Sequence, residues 1–148
     1  MKNRVYYLLI ILFLTSCTLS INNPQSKVFK NYLAKLDIDA KRGQNYILIN
    51  HNSCHMCIDS FTSQLQQDSS IILEAIIITS VEEIYKRLEL HSKKRFDTIV
   101  LDRDALLDKI DMDIYNITYI RYSDDDIVSM KQVSTYEELV QNIRKKTN

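Results

Sequence analysis

Apolar positions recur along this chain with two different spacings, and each spacing predicts a different kind of element. Short, almost continuous apolar runs predict strands covered on both faces, because a strand with one exposed face would alternate instead. Such runs occupy residues 46–50, 71–79 and 98–102. Two more, at 117–122 and 127–133, flank a short acidic segment and predict an antiparallel hairpin.

Apolar residues spaced three or four positions apart predict amphipathic helices around these runs. The predicted helices run from Ser26 to Leu36, through Ile58, Phe61 and Leu65, from Val81 to near Lys94, and onwards from Ser134 or Thr135, with a short helix at 105–110. The polar stretch 37–45 contains Gly43, the single glycine of the chain, and predicts a loop. Helices and strands therefore alternate before a final hairpin and helix. This order predicts a layered α/β sandwich with a mixed sheet and helices on both faces.

Several polar residues are interpreted as structural. Asp102 and Asp104 follow a predicted strand and are expected to cap the short helix after them. Thr135 and Glu138 have the spacing of a capping box, and so do Ser134 and Glu137. The acidic residues 124–126 are interpreted as a hairpin turn rather than a cation site.

The N-terminal segment has the character of a targeting signal. Lys2 and Arg4 flank the start of an unbroken apolar stretch from Val5 to Leu14. That stretch is shorter than the roughly 20 residues that cross a bilayer, but it fits the apolar region of a secretory signal. The next residues, Thr15-Ser16-Cys17, complete a motif that resembles the lipobox of bacterial lipoproteins. The resemblance implies cleavage before Cys17 and attachment of lipid to its thiol.

The predicted organisation is a signal peptide at 1–16, a lipidated tether at 17–25 and one domain at 26–148. The domain length is ordinary for a single unit. Removing the two basic residues of the signal leaves 17 basic and 19 acidic residues, a net charge of −2. A nucleic-acid partner would require a basic domain, so none is expected. We expect the protein to lie in the cell envelope, outside the cytoplasm, held on a membrane by lipid.

Two cysteines remain once Cys17 carries lipid, and both stand at the start of a predicted helix. Cys54 lies where the helix begins and Cys57 lies one turn later. The unpaired N–H groups and positive dipole of a helix N-terminus stabilise a thiolate, which lowers the pKa of the first cysteine. His55 lies between them and is expected to add positive charge, and His51 lies nearby. This pattern predicts thiol–disulfide exchange with Cys54 as nucleophile, Cys57 as resolving thiol and no organic cofactor.

The order of elements around this pair resembles the thioredoxin fold. The segment FDTIVLDRDALL at 96–107 is similar to the strand, Asp-x-Asp turn and short helix of TlpA-like thiol–disulfide proteins of the bacterial envelope. The similarity covers roughly residues 46–148. It implies a thioredoxin-like three-layer sandwich, protein thiols or disulfides of the envelope as substrates, and a redox partner that recycles the cysteines.

Three positions depart from the family pattern. Ser53 stands where redox-active members place an aromatic residue, and Leu48 stands where many thioredoxins have a buried acid. The cis-proline that precedes the hairpin in the family corresponds here to Asn116 or Ile117. Since a cis bond without proline costs about 3 kcal/mol, we expect a trans bond in this substrate loop.

Two other interpretations of the cysteine pair stay open. The thiols can form an inert disulfide, as exported thiols often do, although so small a loop restrains the unfolded chain little. The protein would then be a redox-inactive lipoprotein that serves as a binding module. In the second interpretation His51, Cys54, His55 and Cys57 bind copper or zinc, since thiolate and imidazole donors suit these metals. A Ser–His–Asp hydrolase site has no supporting nucleophile motif.

Overall fold

The structure is a computed structural model, and the segments that it describes are 23–40, 43–68, 72–92, 95–123 and 126–144. The predicted signal peptide and the lipobox with Cys17 lie outside these residues. Within the described segments, no helix is both long enough and apolar enough to cross a membrane.

The described residues form four α-helices, five strands and one short 3₁₀ helix. In chain order these are α1 (Pro24–Lys35), β1 (Gln44–Ile49), α2 (His55–Gln67), β2 (Leu73–Thr79), α3 (Glu82–Ser92), β3 (Phe96–Leu101), the 3₁₀ helix Leu106–Asp108, β4 (Ile117–Ser123), β5 (Asp126–Val133) and α4 (Tyr136–Arg144). This is the element order that the hydrophobic pattern predicts. The boundaries of most elements differ from the predicted ones by one or two residues.

The five strands form one mixed sheet with the order β3-β2-β1-β4-β5. Strands β1, β2 and β3 are parallel, whereas β4 runs antiparallel to both β1 and β5. The predicted mixed α/β sheet and its terminal hairpin are therefore confirmed. The three parallel strands all end at the same edge, so the residues after Ile49, Thr79 and Leu101 come together there. We call this the carboxyl edge of the sheet.

Each face of the sheet carries its own hydrophobic core. Helices α2, α3 and α4 cover one face, and α1 with the segment before β4 covers the other. Strand β1 explains the unbroken apolar runs, because Ile47 and Ile49 enter the first core while Tyr46 and Leu48 enter the second. Burial on both faces removes any need for polar alternation. The result is a three-layer sandwich of the thioredoxin-like type, as predicted.

Helix α1 begins earlier than the apolar spacing suggests. Its first residue is Pro24 rather than Ser26, because the side chain of Asn23 accepts a hydrogen bond from the N–H of Gln25 at 3.0 Å. Proline suits the first helical position, where its missing N–H would have no partner in the helix. Pro24 and Gln25, assigned to the tether from the sequence, therefore belong to the folded domain.

Polar caps close two other elements. The carboxylate of Asp102 accepts the N–H of Leu107 at 2.6 Å and so caps the 3₁₀ helix, as expected. Asp104 instead uses its backbone carbonyl, which accepts a bond from Lys109 Nζ at 2.8 Å. At α4, the N–H of Glu138 donates to Thr135 Oγ1 at 3.2 Å, so of the two predicted capping pairs the Thr135 pair forms this bond.

Candidate functional site

The two cysteines lie at the start of α2, on the carboxyl edge of the sheet. Cys54 is the N-cap residue, with an extended backbone (φ −56°, ψ 116°), and its sulfur accepts the N–H of Cys57 at 3.3 Å. Both side chains are half-buried and both are thiols rather than a disulfide. The N-cap geometry thus gives Cys54 the position expected of an attacking sulfur at a helix N-terminus.

The contact between the two sulfurs makes their acidities diverge. The Cys57 thiol, followed by the Cys57 backbone N–H, donates to the Cys54 sulfur and holds the pKa of Cys54 below its usual value. The same contact raises the pKa of Cys57, and partial burial and the negative charge of the Cys54 thiolate add to that rise. One sulfur is therefore prepared to be a thiolate while the other keeps its proton.

The residues directly before Cys54 form a buried polar turn. The N–H of Ser53 donates to the carbonyl of Asn50 at 3.1 Å, which closes a turn over residues 50–53. The hydroxyl of Ser53 donates to Asn50 Oδ1 at 3.0 Å and accepts the Asn50 N–H at 3.2 Å. The side-chain amide of Asn50 then donates to the carbonyl of Ile114 at 2.8 Å. The hydroxyl of Ser53 therefore fixes the shape of the loop that presents Cys54.

Asn116 contacts Cys54 from the β4 side. Its Oδ1 atom accepts the backbone N–H of Cys54 at 3.3 Å, and its carbonyl accepts the hydroxyl of Thr118 at 3.0 Å. Ile117 is the first residue of β4 and is buried in the first core. No cis peptide bond occurs in the described segments, as expected at this loop. Of the two residues predicted for the substrate loop, Asn116 is the one that reaches the cysteine.

His51 is fixed by the segment between β3 and β4. Its backbone N–H donates to Asp108 Oδ1 at 3.1 Å, and its ring Nδ1 lies 2.8 Å from Asp108 Oδ2. The Ser80 hydroxyl also lies 3.1 Å from Nδ1. Partial burial opposes ionisation of Asp108, but the hydrogen bonds from His51 and Ser80 outweigh it, so the pKa of Asp108 is lowered. His51 is therefore bound to a carboxylate.

His55 occupies the first position of α2 and is exposed. It shares a groove of about 150 Å³ with His51, on the side of α2 that faces α3. Ile58, Val81 and Ile84 are among the other residues that line the groove. Neither cysteine lines it, so the two histidines and the two thiols occupy neighbouring surfaces.

Ser80, His51 and Asp108 form a cluster whose geometry differs from that of a hydrolase triad. In a triad, the serine and the carboxylate contact opposite nitrogens of the imidazole. Here both oxygens approach the same atom, Nδ1. The ring therefore cannot take a proton from Ser80 through one nitrogen while Asp108 orients the other.

The four residues of the metal-binding interpretation do not converge. In the segments that the structure describes, no group of three or more His, Cys, Asp or Glu side chains is arranged to hold a metal ion. His51 uses Nδ1 for Asp108, and the groove that it shares with His55 excludes the cysteines. Of the acidic turn, the described residue Asp126 contacts the hydroxyl of Ser26 and the N–H of Ile127.

Sequence reasoning missed three of the residues that shape this site. Asn50 and Ser80 each follow a parallel strand directly, so their position after a predicted strand was a usable signal. Asp108 lies in the segment between β3 and β4, and nothing in the sequence indicates that this segment folds back onto the loop of Cys54. Its contact depends on tertiary packing alone.

Comparison with known proteins found no matching family model, no similar curated protein and no similar solved structure.

Proposed function

We propose that this chain is a lipid-anchored thiol–disulfide oxidoreductase that acts in the cell envelope, outside the cytoplasm, through Cys54 and Cys57. The observation that carries the proposal is the N-cap position of the Cys54 sulfur, which accepts the Cys57 N–H at 3.3 Å. The element order and the C-x-x-C motif also resemble TlpA-like envelope proteins. Protein thiols or disulfides are the proposed substrates.

The reaction begins with attack of the Cys54 thiolate on one sulfur of a substrate disulfide. A Cys54–substrate disulfide forms, the substrate disulfide breaks, and the second substrate sulfur leaves as a thiolate that takes up a proton. Cys57 then loses its proton and attacks the Cys54 sulfur, which releases the first substrate sulfur. The substrate gains two electrons and the cysteine pair becomes a disulfide. The reverse sequence oxidises a substrate dithiol.

The opposite pKa shifts of the two sulfurs suit this sequence. A lowered pKa at Cys54 provides the thiolate for the first attack. A raised pKa at Cys57 keeps the second thiol protonated until the mixed disulfide removes the negative charge from Cys54. The difference supports a division of labour between an attacking and a resolving cysteine.

Two polar contacts support a positioning role for residues around the pair. Asn116 fixes the backbone of Cys54 from the position of the family's cis-proline. His51 and Asp108 join the loop of Cys54 to the inserted segment that resembles that of TlpA-like proteins. We assign no direct part in bond making or breaking to Asn116, His51 or Asp108.

The anchor is the second part of the proposal. Signal peptidase would cleave before Cys17, and lipid on its thiol would hold the mature domain at a membrane surface. The mass of the mature protein tests this directly, because cleavage and diacylglycerol change it by known amounts. A Cys17→Ser variant should lose the lipid and membrane attachment while it retains thiol exchange.

Two substitutions test the redox chemistry. Cys54→Ser should abolish exchange, because the remaining thiol, Cys57, lies one turn into α2 and does not occupy the N-cap position of the attacking sulfur. Cys57→Ser should trap a mixed disulfide with the substrate, visible as a covalent adduct that a reductant releases. The control variant is Ser63→Ala, on the exposed side of α2, because it adds no thiol, as Ser53→Cys would. Exchange by both cysteine variants at the wild-type rate would contradict the proposal.

A further inference from the structure

The side-chain amide of Asn116 is held beside Cys54 in one orientation. Its Oδ1 atom accepts the backbone N–H of Cys54 at 3.3 Å. A backbone N–H can only donate, so the atom that faces it must be the amide oxygen rather than the amide nitrogen. The nitrogen, Nδ2, therefore lies on the other branch of the side chain, and its direction is determined by the contact with Cys54.

This nitrogen carries two N–H donors that no described residue accepts. Within the described segments, the contacts of Asn116 are the one between Oδ1 and Cys54 and the one between its carbonyl and the Thr118 hydroxyl at 3.0 Å. Asn116 is half-buried, and Nδ2 is not enclosed by the protein. An unused pair of donors is therefore accessible next to the backbone of the attacking cysteine.

The loop that carries Asn116 is anchored on both sides of this residue. Two positions earlier, the carbonyl of Ile114 accepts the buried side-chain amide of Asn50 at 2.8 Å. Directly afterwards, the buried Ile117 begins strand β4. A donor that is already held in place loses little conformational entropy when it binds, so its hydrogen bond contributes more to affinity.

Two exposed apolar side chains are neighbours in sequence of this contact. Met56, in the first turn of α2, is 81% exposed, and Tyr115, next to Asn116, is 63% exposed. Methionine and tyrosine are among the residues enriched where proteins bind other proteins. A polypeptide can cover such side chains with apolar atoms of its own, whereas a small thiol cannot. These two residues therefore favour a polypeptide as the substrate.

We propose that the Nδ2 donors of Asn116 bind a backbone carbonyl next to the cysteine of a polypeptide substrate. The inference rests on the proposed exchange reaction and adds the group that distinguishes a polypeptide disulfide from a small-molecule disulfide. A peptide carbonyl is a strong acceptor, and every residue of a polypeptide carries one. The contact holds the substrate sulfur near Cys54 without selecting the side chains around it.

The experiment compares two probes that share one leaving group. In the first, thionitrobenzoate forms a disulfide with a capped pentapeptide that has one cysteine between alanines. In the second, it forms a disulfide with mercaptoethanol, which has no peptide carbonyl. The Cys54 thiolate attacks the peptide or mercaptoethanol sulfur, a new disulfide forms there, and coloured thionitrobenzoate leaves as a thiolate. The protein is the full chain, purified in detergent and reduced beforehand.

Asn116→Asp is the variant that tests the donors. It keeps an oxygen for the Cys54 N–H and removes both N–H donors. The ratio of the peptide rate constant to the mercaptoethanol rate constant cancels any change in the reactivity of Cys54. This ratio should fall by about three- to tenfold, as expected for the loss of one hydrogen bond. Asn52→Asp, at an exposed asparagine before Cys54, should leave the ratio at its wild-type value.

Two modified peptides test the acceptor without any change to the protein. In each, a trans alkene replaces the peptide group directly before or directly after the cysteine, which keeps the shape but removes the carbonyl. One of the two should react with wild type about three- to tenfold more slowly than the parent peptide. With Asn116→Asp the same peptide should show no further loss, because donor and acceptor belong to one contact.

The possible failures are distinct. If wild type reacts with neither probe, the proposed exchange reaction and this inference are both overturned. If wild type reacts with both probes and Asn116→Asp leaves the ratio of rate constants unchanged, the inference is overturned and the exchange reaction stands. Losses that add up when Asn116→Asp meets an alkene peptide would also overturn the inference, because the two groups would then act independently.

Discussion

The loop that presents Cys54 has a buried side and an exposed side, and the two are held differently. On the buried side, Asn50 and Ser53 are only 2% and 3% exposed and bond to each other and to Ile114. On the exposed side, Asn116 contacts Cys54, and Asp108 contacts a His51 side chain that is 57% exposed. The hydrogen bonds on the buried side are shielded from water, whereas water can compete for those on the exposed side.

In this loop of five residues, substitutions on the buried side should therefore change mainly the stability of the fold, and substitutions on the exposed side should change mainly the reactivity of Cys54. A buried donor or acceptor that loses its partner cannot turn to water, so its loss costs folding free energy. A half-exposed contact can be replaced by water at small cost, but a charge placed there acts directly on the neighbouring thiol. Substitutions on the two sides should therefore give different signatures.

The largest effect is expected on the buried side. Ser53→Ala removes the hydroxyl that serves both the N–H and the amide oxygen of Asn50, and should destabilise the fold by about 2 kcal/mol. The pKa of Cys54 should change little, because its own contacts remain. Chemical denaturation gives the free energy of unfolding. Ser63→Ala, an exposed position on α2, should stay within about 0.5 kcal/mol of wild type.

The same contrast explains how far the sequence could predict this molecule. The continuous apolar runs, such as the one ending at Thr79, mark strands covered on both faces and thereby determine the sandwich. The cysteine spacing at a strand–helix junction places Cys54 at a helix N-terminus. Both signals are local, so they can be recognised without knowledge of the tertiary structure.

The supporting contacts are not local and escaped prediction. Asn50 bonds to a residue 64 positions away, and His51 bonds to Asp108, 57 positions away. No spacing rule links such pairs, because their meeting depends on how the segment between β3 and β4 packs. Asn116 was predicted only through the resemblance to the thioredoxin fold, and its side-chain contact with Cys54 depends on packing as well.

An intermediate effect is expected at Asn116. Asn116→Asp keeps an oxygen for the Cys54 N–H but adds negative charge beside Cys54, which should raise the pKa of its thiol. The pH at which Cys54 becomes reactive should therefore move upwards. The pH dependence of alkylation at Cys54 measures the shift, and stability should hardly change.

The control for Asn116→Asp places the same charge in the same loop without the contact. Asn52 is exposed, and Asn52→Asp should shift the pKa of Cys54 less, because water screens its carboxylate. Equal pKa shifts in the two variants would mean that a negative charge anywhere in the loop has the same effect, and that the contact between residue 116 and Cys54 adds nothing. A large loss of stability in Asn116→Asp would contradict the separation between the two sides of the loop.

The smallest effect is expected for the contact between His51 and Asp108. The pKa of Asp108 is lowered in the fold, so its ionised form contributes stability above its unfolded pKa, near 3.9, and loses it as the pH falls through the lower folded value. Because His51 is well exposed, Asp108→Asn should cost only about 0.5–1 kcal/mol at neutral pH. The difference in unfolding free energy should shrink below about pH 4. Asp111→Asn, at an exposed acid nearby, is the control and should stay within about 0.5 kcal/mol of wild type at neutral pH. If the difference in unfolding free energy between Asp108→Asn and wild type stayed constant down to acid pH, the contact would stabilise the fold through packing rather than through the charge of Asp108.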